Sequence, residues 1–424
     1  MKVQTIHPVL QPRLQRPKEW KQGAADVVTL GVASVAGAFW GPIAGAGVGA
    51  AGGAAAESML VGEFSSQHRT PLIARQAAVG LAAGLGASTM DLLLGTVHPA
   101  LNIGLGLALG GAAAALLPNR PKSAIQDHWA NLETTQAPEL WQRGLTGQGV
   151  GVAVLDTGID NHPSLQGNIV AYHNFVGNEQ NIHDDHHHGT AMSGIVSGLG
   201  RNQEYPAVAP NSQLIALKVA DAAGRVQVDK IAEAIRWATE NRERYNIRVL
   251  NMSFAADPGD DPVQLAEISK AVDEASAKGM IVVASAGNDG PEPSPMMAPA
   301  AASTALAVAS QDCFASNNSA HHQLSEFSHR SPESSLGPTV TAPGSGWLQP
   351  VTGGGYLSDS GTSQAAAALS GVMALWTQAV PTLTAAQAKA ALVHTSVSLQ
   401  AGPEAQGAGS VRARAGLDYL LAQP

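Results

Sequence analysis

From Trp129 onward, short β-rich apolar runs alternate with longer amphipathic stretches, and this alternation restricts the fold more than any other feature of the chain. The runs are Val150–Leu155, Leu214–Val219, Val249–Met252, Met280–Ala284 and Leu306–Val308. Helical patterns occupy Val228–Arg244, Val263–Lys278, Thr362–Gln378 and Ala385–Val393. Strand and helix patterns in alternation imply βαβ units, and hence an α/β fold with a parallel sheet flanked by helices. Reactive groups in such sheets gather at the carboxyl ends of the strands. The chemistry of this chain is therefore expected at strand ends and at the helix starts beside them.

Four motifs occupy such places. In Gly151-Val-Ala-Val-Leu-Asp-Thr-Gly158, Asp156 directly follows an apolar strand. A carboxylate fixed there can accept a hydrogen bond from an imidazole, although an Asp ending a strand also arises as a turn residue. His188-Gly-Thr190 opens the helical stretch Ala191–Gly198. A helix N-terminus disfavours imidazolium, which suits a resting neutral base. The alternative is a solvated surface or an adventitious metal ligand, because His188 ends a run of His183, Asp184, Asp185, His186 and His187. In Gly361-Thr-Ser-Gln-Ala365, Ser363 starts an apolar helix whose free N–H groups face any developing oxyanion. Asn288, within Ser285-Ala-Gly-Asn288, follows a strand and offers a side-chain amide to the same oxygen. Alone, it reads as an ordinary turn residue.

Together, Asp156-Thr-Gly, His188-Gly-Thr, Ala-Gly-Asn288 and Gly-Thr-Ser363 resemble the subtilases in order and rough spacing. The resemblance covers about residues 123–424. It includes the approach Trp141–Gly149 to the first strand, Val208-Ala-Pro210, Asn251-Met-Ser253, Pro299-Ala300, Ala342-Pro-Gly344 and the closing Gly407–Val411. It implies a serine endopeptidase with Asp156, His188 and Ser363 as catalytic triad and Asn288 in the oxyanion hole. Protein or peptide substrates are implied, bound beside Ser253, Phe254 and Ala255, and along Ala222–Arg225 near Gly224. Three positions depart from the family. Gln364-Ala-Ala-Ala367 replaces the usual Met-Ala-Ser-Pro, Ala255 and Ala256 replace glycines, and Arg201 stands in the loop Gly200–Pro206 where calcium-binding members supply a neutral oxygen. No cofactor and no metal site are expected, and calcium is not supported at that loop. No inhibitory pro-domain is recognised in residues 1–120.

Those first 120 residues have another character. A basic arm, residues 1–22, carries Lys2, Arg13, Arg16, Lys18 and Lys21. Residues 23–120 are expected to form an Ala/Gly-rich all-α region. Its stretch Val27–Ala56 has 30 residues without a charge, and Gly37, Gly41, Gly45, Gly49 and Gly53 recur every fourth position. On a helix they line one face and admit close approach of a second helix. Further apolar stretches run over Leu72–Val97 and Ala100–Leu117. A length of about 20 apolar residues spans a bilayer, so a membrane-inserted glycine zipper is expected, with a soluble helical bundle as the alternative. A cleavable signal peptide fits less well, given the long arm and the later apolar stretches. Membrane association, side unspecified, is the corresponding location, and soluble cytoplasmic protein the alternative.

The net charge of −9 gives no reason to expect nucleic acid as a partner. With the single cysteine Cys313, no intrachain disulfide forms. Two rival functions remain. An aspartic protease would use Asp156-Thr-Gly158 and Asp359-Ser-Gly361, but that fold is all-β and leaves His188, Asn288 and Ser363 without roles. A membrane-inserting effector would keep the protease fold as a passive scaffold, but every triad residue type is present.

Overall fold

A computed structural model describes residues 124–423, apart from 201–203, 257–258, 315 and 317. The basic arm and the Ala/Gly-rich region, with their membrane expectation, lie outside the described residues. Among the described residues, no helix is long and apolar enough to cross a membrane.

The chain begins with two helices, α1 (Ala124–Thr135) and α2 (Ala137–Trp141), and enters a sheet at β1 (Gly151–Asp156). Strands β2 (Ile169–Asn174), β3 (Gln213–Lys218), β4 (Ile247–Met252), β5 (Ile281–Ser285), β6 (Leu306–Asp312), β7 (Gln323–Leu324) and β8 (Val340–Pro343) complete it. The order is β2-β3-β1-β4-β5-β6-β7, with β8 also on β6, and every pairing except β6 with β7 is parallel. Helix α3 (His188–Val196) follows β2, α4 (Val228–Glu240) follows β3, and α5 (Pro262–Ala277) follows β4. After β8 come the antiparallel hairpin β9 (Trp347–Val351) and β10 (Gly355–Asp359), then α6 (Thr362–Ala379), α7 (Ala385–Thr395) and α8 (Ala413–Leu421).

The strand period of two divides the core. Ala153 and Leu155 of β1, Ile215 and Leu217 of β3, Leu250 and Met252 of β4, and Val282 and Ala284 of β5 face one layer. There they meet Ile231, Ile235 and Ala238 of α4 and Ile268, Val272 and Ala275 of α5. Alternate residues such as Val152, Val154, Val249 and Val283 are buried on the opposite face, where α6 packs across β4, β5, β6 and β8. Burial on both faces explains why these strands read as unbroken apolar runs. It also explains α6: every residue from Thr362 to Thr377 is buried, so the helix is apolar all round, and Ala365–Ala368 let it sit close to the sheet.

The expected strands and helices are present, with ends shifted by a few residues. Elements absent from the expectation have mixed or short patterns. Strand β2 is an edge strand with mostly half-exposed side chains. The β9–β10 hairpin carries Pro350 in a two-stranded ribbon, where a missing N–H is tolerated, and turns at Gly353-Gly354, both at positive φ. Helix α1 is anchored by side chains on the segment after residue 203: Trp129 Nε1 donates to the Glu204 carbonyl at 2.9 Å, and His128 Nε2 meets the Pro206 carbonyl at 3.0 Å. Burial pushes the His128 pKa down to about 4. Two carbonyls of this loop, those of Glu204 and Pro206, are thus engaged by protein groups. Cys313 is buried, and burial pushes its thiol up to about 12, so it is inert as a nucleophile.

Trp376 is among the largest fully buried side chains, and its indole N–H donates to the Ala413 carbonyl at 2.7 Å, tying α6 to the start of α8. Trp376→Ala opens a cavity and orphans that carbonyl. Equilibrium urea unfolding is expected to show a loss of roughly 3–5 kcal/mol, whereas a loss below about 1 kcal/mol would mean that the region collapses around the gap.

Candidate active site

Asp156 is the last residue of β1, and its side chain is only 3% exposed. Two donors satisfy its carboxylate. The Thr157 N–H donates to Oδ1 at 2.7 Å, and His188 Nδ1 lies 2.8 Å from Oδ1 and 3.0 Å from Oδ2. A carboxylate acceptor requires the imidazole proton on Nδ1, which leaves Nε2 as the free, basic nitrogen.

His188 is placed by the start of α3. Asp184, four residues earlier, caps this turn. Its Oδ1 accepts from the N–H groups of His186 and His187 at 3.0 and 2.9 Å and from the Thr157 hydroxyl at 2.9 Å. Its Oδ2 accepts from the Thr190 N–H at 2.9 Å and the Thr190 hydroxyl at 2.6 Å. Burial would raise the Asp184 pKa, but these hydrogen bonds outweigh it and hold the carboxyl below its usual range. The Thr157 hydroxyl also accepts from the Gly189 N–H at 2.9 Å, stitching the end of β1 to α3. A side chain at Gly189 would collide with the Gly158 carbonyl, so only glycine permits this approach. The histidine run is therefore not a metal cluster. Asp184 serves the backbone, His186 and His187 stack at 5.0 Å, and among the described residues no group of three or more His, Cys, Asp or Glu is arranged to hold a metal ion.

Ser363 is the second residue of α6. Its hydroxyl donates to the Ser253 carbonyl at 2.8 Å, while the Ser253 hydroxyl donates to the Ser363 carbonyl at 2.9 Å. Asn251 Nδ2 donates to the Ser253 hydroxyl, and Ser370 donates to Asn251 Oδ1, each at 2.9 Å. This buried seam fastens the end of β4 to α6. Asn288 approaches from the end of β5. Its Oδ1 accepts from the Thr362 N–H at 2.8 Å and the Thr362 hydroxyl at 2.9 Å. With the oxygen fixed by a backbone donor, Nδ2 points elsewhere. A Cβ built on Gly361 would lie 2.7 Å from Gln364 Oε1, 3.4 Å from Asn288 Nδ2 and 3.7 Å from Ser363 N, so the two nitrogens and the Gln364 side-chain oxygen border one small space. Gln364, which departs from the usual Met, is buried and donates through Nε2 to Gln349 Oε1 of β9 at 3.3 Å.

The remaining expected residues lie nearby in different states. Ser253 is buried, Phe254 packs partly on the core and Ala255 is exposed. The segment Ala222–Arg225 is a tight turn. Gly224 N–H donates to the Asp221 carbonyl at 2.9 Å, and the Asp221 side chain accepts from the N–H groups of Ala223 and Arg225. Asp221 was the overlooked signal, since an Asp followed three residues later by Gly favours a turn. Asp359 ends β10, and the Asp156 carboxylate is engaged by His188 and Thr157, which removes the two-carboxylate reading. The helix-start argument for a lowered His188 pKa is also corrected. Burial lowers it, but the charge and hydrogen bond of Asp156 outweigh burial, and the pKa is raised above 6.5.

The model of the subtilase family matches residues 147–411. Alkaline elastase YaB of Bacillus sp. (strain YaB) is 34% identical over 310 residues, 73% of this chain and 75% of that protein. Subtilisin BL of Lederbergia lenta is 35% identical over 284 residues, 67% of this chain and 96% of that protein. The solved structure of Sphericase superposes with a TM-score of 0.56 at 28% identity, over 63% of this chain and 92% of that chain.

Titration of the His188 ring, followed by NMR, is expected to place its pKa above 6.5. The direction follows from Asp156, so Asp156→Asn should bring it down, since burial alone lowers it. A wild-type value below 6.5, or no fall in the variant, would contradict the assigned pairing.

Proposed function

The chain belongs to the subtilase family and is a serine-type endopeptidase, and from that premise we propose that Ser363 is its nucleophile, His188 its base and Asp156 the carboxylate that orients the base. The observation that carries this reading is the bond from His188 Nδ1 to Asp156, which leaves Nε2 free to take a proton. In the reaction, the Ser363 hydroxyl turns from the Ser253 carbonyl to Nε2. Its oxygen bonds to the scissile carbonyl carbon as the proton passes to His188, and Asp156 stabilises the imidazolium. The carbonyl oxygen becomes an oxyanion facing Ser363 N–H and Asn288 Nδ2. Collapse breaks the C–N bond, His188 returns the proton to the leaving amine, and water then hydrolyses the acyl-enzyme by the same steps. An extended substrate backbone lies along Ser253, Phe254 and Ala255, with Gly224 bordering the opposite side.

Because only neutral His188 accepts the proton and its pKa is raised, activity is lost as pH falls through a value above 6.5. Ser363→Ala is expected to remove peptide hydrolysis while circular dichroism stays native, leaving at most about 10³–10⁴-fold catalysis over water, a range established with relatives in this family. Wild-type turnover in the purified variant would overturn the nucleophile assignment.

Residues 23–120 are proposed to hold the protease on a membrane. What supports this is the charge-free stretch Val27–Ala56 with its five glycines at four-residue spacing. The basic arm then stays on the cytoplasmic side. Carbonate extraction should leave the full-length protein in the membrane pellet and release a chain of residues 123–424. Full-length protein that washes off with carbonate would make the region a soluble bundle.

A further inference from the structure

Directly after Asn288, the carboxylate of Asp289 meets a buried histidine that the mechanism does not use. His329 Nδ1 lies 2.9 Å from Asp289 Oδ1, and Nε2 lies 3.1 Å from the Ser331 hydroxyl. The single proton of Ser331 goes to the Leu336 carbonyl at 2.7 Å, so the Ser331 oxygen accepts and Nε2 must donate. Asp289 also accepts from the Ser294 hydroxyl, which lies 3.3 Å from His329 Nδ1. Burial would raise the Asp289 pKa, but the bonds from Ser294 and His329 outweigh it and hold the carboxyl below its usual range. Both ring nitrogens of His329 are thus engaged in hydrogen bonds. Its side chain is 2% exposed, against 49% for Asp289.

This Asp–His–Ser order is not a second nucleophilic centre. Ser331 is buried and its proton is committed to Leu336. What the array touches is the asparagine loop. His329 N–H donates to the Gly287 carbonyl at 3.0 Å, and Gly290 N–H donates to the Phe327 carbonyl at 3.1 Å. From the other side, Gly287 N–H donates to the Thr362 hydroxyl at 3.3 Å. Residues 287–290 are therefore held between the segment Phe327–Ser331 and the start of α6, with Asn288 in the middle.

We propose that the chain Asp289–His329–Ser331 is a positioning device for Asn288, fixing the loop so that Nδ2 stays aimed at the developing oxyanion. The inference rests on the reading of Asn288 as an oxyanion donor. Since the donor remains present when its support is weakened, the effect on turnover is smaller than that of removing the donor itself.

The test is a double-mutant cycle read by steady-state hydrolysis of a peptide anilide, with folding checked by circular dichroism. Asn288→Ala is expected to lower kcat by roughly 10²–10³, a range taken from a subtilisin. Asp289→Asn changes an exposed side chain, and should lower kcat on the order of tenfold at unchanged KM, a fraction of the full donor loss. His329→Gln should behave likewise. In the Asn288→Ala background, Asp289→Asn should have no further effect. A wild-type kcat for Asp289→Asn, a change confined to KM, or a full multiplicative loss in that background would overturn the positioning role while leaving Asn288 in place. A near-normal Asn288→Ala would overturn the oxyanion reading and this inference with it.

Discussion

The site depends on giving partners to a carboxylate at the end of a strand that is buried on both faces. A buried carboxylate without partners is costly enough to take up a proton instead. Asp156 has two such partners, the Thr157 N–H and His188 Nδ1. Both depend on the geometry of one junction, because the Thr157 hydroxyl and Asp184 join the end of β1 to the first turn of α3. The helix start, the histidine orientation and the state of Asp156 are thus one problem with one solution. Gly189 is part of it, since a larger residue would push α3 away from Gly158.

The other half of the site is organised by α6. Its N-terminus supplies Ser363 and the free backbone N–H beside it, but an apolar helix inside a domain has few ways to fix its axial position. The buried polar seam of Asn251, Ser253, Ser363 and Ser370 does so by joining β4 to α6. Thr362 binds Asn288 on the neighbouring strand end. Buried polar groups are tolerated when fully satisfied, and they then specify a single register where apolar contacts alone permit sliding. Strand ends and helix starts are brought together by groups with definite donor and acceptor roles, and the proposed chemistry uses those same groups.

The parallel sheet and its flanking helices were legible in the sequence because burial on both faces of a strand leaves an unbroken apolar run. The four site motifs were legible because Asp156 and Asn288 follow apolar runs while His188 and Ser363 open helices. Less was legible where function comes from local hydrogen bonding. Asp184 stands among histidines and looks like part of a metal run, yet it is a cap whose five bonds go to neighbours within the turn and to Thr157. The Ala222–Arg225 turn is shaped by one Asp221 carboxylate. The raised pKa of His188 was missed because the sequence shows the helix start but not the distance to Asp156. The pairing of Gln364 with Gln349 joins residues from two elements that no local pattern connects.

The central claim is that Ser363, activated by His188, is the group that reacts with substrate carbonyls. Its most direct measurement is treatment of the purified protein with a fluorophosphonate, followed by digestion and mass spectrometry of the adduct. The account predicts one covalent adduct, on the peptide containing Ser363, appearing in step with loss of peptidase activity and absent when His188 is replaced by Ala. An adduct on another serine, or full peptidase activity in unlabelled protein after exhaustive treatment, would contradict it.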